Sequence, residues 1–430
     1  MGVLTPSLTG DVAERWEEFS WRYMSRRSGD SEVLHQIIDA DPASGVAHAV
    51  AALLAAVGGD GSFDARAEAE SAQAGRAHQE WERSFVDVAV RTVEHDMWAA
   101  YDAWQRHAES YPGDLIAFDM AGFLIQTSTR REMFDGVEEL IARTKRAVGE
   151  HVSVLGYEAM LRQEQGRLDE AHRLAMRCLE LDPPGSDGAH PLAHVYFESG
   201  DHVNGLAWLD DWLPGTDQKA MFGGHLVWHA ALHHLAIGDG DGALARYPLC
   251  GGSAVGGRLI DGPSLLWRCQ LLGHTPPGTD PVKPPVGELA RGLMDGVPFT
   301  FLGMHAALAL ATAGDADGLR RFADNARGFD APGSATSLPL LANGLAAFVE
   351  GDHAKAADTL LRFEPYAARI GGSHAQREVL EDTVIHALVR AGRLDEAAAR
   401  LRVRLDRRDS GLDSGLLAET VSGGRAILEP

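Results

Sequence analysis

At 430 residues the chain has room for two or three ordinary domains or for one long repeat array. Its 62 acidic residues against 39 basic ones give a formal charge of −23, which repels phosphate backbones and anionic lipid and argues against nucleic acid or a membrane as partner. Apolar residues at 45% and charged residues at 23% are globular proportions, so wholesale disorder is not expected. In chain order, MGVLTPSLTGDVAERW has no basic stretch leading into an apolar one, so no secretory signal is read there. Pro6 stands where a myristoylation motif requires Ser or Thr. Residues 11–56 and 79–112 each read as a helix pair. Residues 157–183 read as a helical hairpin, turning at Gly166 and stopping at Pro183 and Pro184. Alternating strand patterns are scarce, and no run approaches the ~18 apolar residues that span a bilayer. Cys178, Cys250 and Cys269 form no CxxC pair, which points to a reducing, cytoplasmic setting rather than a disulfide framework. The excess of arginine over lysine, with much alanine and glycine, suggests a bacterial, GC-rich genome.

The turn of the 157–183 hairpin recurs. GRLDEA at 166 returns as GDHVNG at 200, GDGDGA at 238, GDADGL at 314, GDHAKA at 351 and GRLDEA at 392. The steps are 34, 38, 76, 37 and 41 residues, the third being twice 38. A period in the high thirties built from two helices marks an α-solenoid, whose units bury their apolar faces only by stacking. The expected fold is therefore all-α, a tetratricopeptide-like solenoid of antiparallel helix pairs. It divides into an N-terminal helix pair or cap over 1–60 and helical repeats over 61–249. A Gly/Pro-rich irregular insertion over 250–298 follows, then C-terminal repeats over 299–408 and a flexible tail over 409–430.

Histidines follow the same register. His190, His194 and Glu198 lie 10, 6 and 2 residues before Gly200, and His225 and His229 lie 13 and 9 before Gly238. His305 lies 9 before Gly314 and His386 lies 6 before Gly392. Neighbouring offsets of three or four describe one stripe of a helix, repeated in four units. Consecutive first helices pack ~8–10 Å apart, so their imidazoles can converge on one small group or ion. Pro191 places His190 in the first turn or cap of its helix.

Imidazoles with a carboxylate suit zinc or iron, with His194, His229 and Glu198 as the ligand set. Without a metal, the same three residues can act as general acid and base. His190, His225, His305 and His386 are candidate ligand contacts on the same stripe. In GGSHAQRE, Ser373 and Gln376 are spaced as a capping box, which leaves Arg377 to balance groove carboxylates or to bind an anion. Any one of these histidines alone reads most simply as an ordinary core residue.

HPLAHVYFESGD, HLVWHAAL at 225–232, and GGSHAQREV followed by His386 resemble, in order and spacing, the tetratricopeptide repeat protein 38 family over about residues 30–400. The resemblance implies that the first helices line a concave groove, and it adds Asp261 as a groove residue. The function expected is a groove that binds a polar or anionic small molecule and acts on it, with a divalent metal as cofactor. The competing reading is a non-catalytic scaffold that holds a partner's peptide or helix in the groove.

Overall fold

The computed structural model describes residues 2–57, 61–127, 133–217, 219–220, 222–252, 255–274 and 283–423. The chain is built of successive helices packed in pairs, and no strand forms among the described residues. It divides into two compact units. One comprises Met1–Gln126, Glu132–Leu161 and Arg173–Gly188, and the other comprises Thr127–Arg131, Arg162–His172 and Ala189–Pro430.

The recurring turn has one physical form. Gly166, Gly200, Gly238, Gly314, Gly351 and Gly392 all take positive φ, between 69° and 84°. At Gly238, Gly314 and Gly351 two backbone bonds close the preceding helix in a Schellman pattern, such as Gly314 N–H to Ala311 C=O and Asp315 N–H to Leu310 C=O, each 2.9 Å. A Cβ at Gly166, Gly238, Gly314, Gly351 or Gly392 would meet nothing within 4 Å, so the left-handed conformation, not space, demands glycine there. The aspartate that follows caps the next helix. Asp239, Asp315 and Asp352 accept from the N–H groups of Gly242, Gly318 and Lys355 at 2.8, 2.7 and 3.1 Å.

In the first unit, a buried polar knot holds the end of the helix Asp11–Met24. Arg26 forks onto Asp119, with Nη1 3.1 Å from Oδ2 and Nη2 close to Oδ1. The hydroxyls of Tyr23 and Tyr157 donate to the same carboxylate at 3.0 and 2.9 Å. Burial opposes the charge on Asp119, but the Arg26 guanidinium outweighs it and holds that carboxyl below its ordinary value. Asp187 has no such partner. Burial pushes it up to about 7; Asp119 and Asp182 add to this, and Arg26 opposes it. Its folded pKa lies above its unfolded value of 3.8, so the stability linked to it is greatest at acid pH and is lost as pH rises toward 7. Asp187→Asn is therefore expected to stabilise the protein at pH 8, by on the order of 1–4 kcal/mol, and to leave it unchanged below pH 4. Thermal melts of both proteins across pH check this.

The second unit carries the candidate site. Its first helices include Ser186–Glu198, Gly223–Ala236, Val255–Leu271, Thr300–Thr312 and His374–Arg390. They are buried nearly all round; in Gly223–Ala236 only His234 is not buried. Their partners, such as Ala316–Ala326, bury one side only. Helix His374–Arg390 reaches two of the others. His374 Nδ1 lies 2.9 Å from Glu198, and the Trp267 indole N–H donates to Thr383 Oγ1 at 2.9 Å. Helix His374–Arg390, late in this unit, thus packs back on its early helix Ser186–Glu198 and on Val255–Leu271.

Three expectations need correction. Val255–Leu271 is a 17-residue helix with Pro263 inside it, where a Gly/Pro-rich irregular insertion around one short helix was expected. Full burial of Leu265, Leu266, Trp267 and Cys269 outweighs the poor helix propensity of its glycines and proline. The proline-rich stretch over 275–282 lies outside the described residues. Gly411–Val421, expected as flexible tail, is a helix whose N-cap Ser410 accepts from Asp413 N–H at 3.1 Å. The helix carrying His190 begins at Ser186, so His190 sits more than one turn inside it rather than at its cap.

Candidate metal centre

Four imidazoles converge. His190 and His194 come from the helix Ser186–Glu198, and His225 and His229 from Gly223–Ala236. Each offers a ring nitrogen, and these four atoms all lie within 4.8 Å of one another. His190 Nε2 is 3.1 Å from His194 Nε2 and 3.2 Å from His225 Nε2. A tetrahedral ion with ~2.0–2.1 Å bonds to nitrogen separates its ligands by ~3.3 Å. Two edges of the cluster already have that length.

The surroundings set the protonation and aim of the rings. Asp261, on Val255–Leu271 and 1% exposed, lies 2.8 Å from His225 Nδ1. A carboxylate on Nδ1 turns the other ring nitrogen, Nε2, toward the cluster, the usual outer partnership of a metal-bound histidine. Trp228 lies parallel to His225, with centroids 5.1 Å apart and planes at 15°, and Phe222 stacks on His190 at 4.6 Å and 18°. Burial holds His194 and His229 well below the ordinary imidazole value, and the charges of neighbouring histidines add to it. These two rings are held in the uncharged form a metal requires.

Proton counting gives the sharper test. His190 Nε2 carries one hydrogen or one lone pair, so it can satisfy one of its two short nitrogen contacts at a time. Both nitrogens of His229 and Nδ1 of His194 are buried without a hydrogen-bond partner among the described residues. Buried polar atoms left this way are costly unless something shared satisfies them. One cation at the centre of the quartet would take one nitrogen from each ring, including one of the two on His229. The donor set is all nitrogen, which suits borderline transition metals and not the oxygen-seeking Ca²⁺ or Mg²⁺.

The other expected residues lie elsewhere. Glu198 is not in the quartet; its Oε1 meets His374 Nδ1 at 2.9 Å and its Oε2 meets Arg408 at 3.5 Å. Arg377 pairs with Glu164 at 3.1 Å and donates to Gly372 C=O, while Glu164 also accepts from His374 N–H at 2.8 Å. Ser373 and Gln376 form the expected capping box. His305 is fully buried, edge-on to Phe301, and pushed down to about 3 by burial, with Arg268 and His225 adding to the shift. His386 borders a small cavity of about 50 Å³ lined also by Asp382, Arg404 and Asp413. His233, one turn beyond His229 on the same helix, pairs with His202 instead, their Nδ1 atoms 3.2 Å apart.

Sequence reasoning passed over His374, Glu378, Arg404 and Arg408, which build the ionic cluster around Glu198. Their signal was the i, i+4 spacing of His374 with Glu378 and of Arg404 with Arg408. It also missed the backbone strap at Gly251 and Gly252. A Cβ at Gly224 would lie 1.9 Å from Gly252 N, so the strap crosses directly over the first turn that carries His225. Gly224→Ala is expected to cost about 1–3 kcal/mol by overpacking. By shifting His225 it should also weaken metal binding. A lowered melting temperature together with a weaker cobalt titration checks it.

Among the described residues, no helix is long and apolar enough to cross a membrane. The three cysteines are free and buried. No family model matches the chain. Among solved structures the chain is similar to one titled "Structure of Naa15/Naa10 bound to HypK-THB", with 13% identity and a TM-score of 0.25. That match covers 96% of this chain and 66% of the other, just under two thirds of its length.

Proposed function

We propose that His190, His194, His225 and His229 bind one divalent transition-metal ion, zinc or iron, and that the surrounding concave face presents it to a small polar molecule. The observation that carries this reading is the convergence of four ring nitrogens within 4.8 Å, with His225 backed by Asp261. We also propose kinship with the tetratricopeptide repeat protein 38 family, supported by the meeting of four of the histidines that carry the resemblance, while His374 and His386 lie outside the quartet. When bound, the ion supplies Lewis acidity to an oxygen it holds. The chain's own part is to orient the rings, to keep His194 and His229 uncharged by burial and to exclude water from three of the four. Glu198 and Arg377 act beyond the quartet, where they fix His374 and the entry of its helix.

The scaffold reading needs an accessible groove and no ion. Elemental analysis and calorimetric titration of the full chain separate the two. The expected result is one equivalent of Zn²⁺ or Co²⁺ bound, with no response to Ca²⁺ or Mg²⁺. A well-folded protein that takes up no transition metal would leave the scaffold reading standing alone.

A further inference from the structure

We propose that the metal-loaded quartet takes a small anionic oxygen donor, a carboxylate or hydroxide, as its exogenous ligand and discriminates against neutral molecules. This rests on the metal-binding reading and follows from the charge around the four rings. Four neutral imidazoles leave the ion its full double charge. Among the described residues, the carboxylate in hydrogen-bond contact with the quartet is Asp261, which acts through His225 at 2.8 Å. Two further acids on this unit are spent on cations. Glu164 pairs with Arg377 at 3.1 Å and Glu198 with His374 at 2.9 Å. The charges that reach His194 from that side are those of His374 and Arg377, both cationic.

A buried ion with one outer counter-charge retains net positive charge, and buried charge is tolerated only when it is paired. An anion bound directly to the metal completes that pairing, whereas a neutral molecule does not. The route for such a ligand is also defined. His194, His225 and His229 are buried, while His190 keeps partial exposure, so a solute approaches the ion from the His190 side. The spread of donor atoms, up to 4.8 Å where a closed tetrahedron needs ~3.3 Å, leaves the four rings short of enclosing the ion.

The test uses the full chain loaded with Co²⁺, whose visible spectrum reports its ligands. Acetate added at constant pH should shift the bands saturably with one equivalent bound. Acetamide, its neutral counterpart, should not. In the absence of acetate, raising the pH should give a single band shift as bound water becomes hydroxide, and acetate should suppress that shift. Asp261→Asn, read at saturating cobalt, removes the outer counter-charge and should tighten acetate by about tenfold. Cobalt retained with a spectrum indifferent to acetate and to pH, or equally responsive to acetamide, overturns this inference while leaving the metal site intact. Failure to retain cobalt overturns the metal site and this inference together.

Discussion

Replacing His229 with alanine is expected to abolish stoichiometric metal binding while leaving the helical fold in place. His229 is fully buried between His194, at a centroid distance of 4.4 Å, and His225, at 4.8 Å. Both its nitrogens lack hydrogen-bond partners among the described residues, so the fold does not depend on its polarity. Removing an outer partner of a metal-bound histidine typically costs ~10–100-fold in affinity, and removing a ligand should cost more. Asp261→Asn is thus the graded member of the pair: weaker binding, not lost binding. The alanine variant leaves a cavity, which by itself destabilises. His229→Leu, close in size and without nitrogen, separates packing from ligation. If either His229 variant, folded by circular dichroism, still binds one equivalent with unaltered affinity, the ring is no ligand.

The two levels of structure were not equally legible. The repeat was plain because each unit announces itself with a residue the backbone requires. A left-handed turn at 166, 200, 238, 314, 351 and 392 calls for glycine whatever packs nearby. The histidine stripe was legible for the same reason, since distances counted from those glycines place side chains on faces. Depth along the stripe was harder to judge. His190 and Glu198 are eight residues apart, ~12 Å along a helix, so both cannot reach one ion. Facing direction therefore said that they share a groove, and rise per residue separates them within it. The carboxylate then meets His374, 176 residues away, through a contact that depends on how the repeats curve. Nothing local encodes that. Asp261 was reachable through the resemblance alone for a related cause: its helix contains two glycines near the start and an internal proline, a poor helical pattern by itself.

Glu378→Gln is expected to have the largest effect on stability of any single exchange in the second unit. The carboxylate is 4% exposed and is shared by Arg404 at 3.1 Å, Arg407 at 3.2 Å and Arg408 in closer contact. Arg404 has other acids, Asp382 at 2.6 Å and Asp413 at 3.1 Å. Among the described residues Arg408 has only Glu198 as a second acid, at 3.5 Å, so removing the charge strands its guanidinium in the interior. Breaking a buried pair from one side typically costs about 3–5 kcal/mol, because the remaining charge loses its compensation. For a unit of this size that corresponds to a fall in melting temperature of roughly 10 °C. The pH dependence gives a signature that packing damage would not. Burial opposes ionisation of Glu378, but Arg404 and Arg408 outweigh it and hold the carboxyl far below its ordinary 4.5. With the folded value depressed, its stabilisation is fully present above pH 4.5 and drains away as the pH falls toward the folded value. The wild-type melting temperature should therefore drop more steeply than that of Glu378→Gln as the pH is lowered below 4.5, and the two curves should converge. Parallel curves displaced by a constant amount would assign the loss to packing and deny the ion cluster its role in holding the C-terminal repeat against helix Ser186–Glu198.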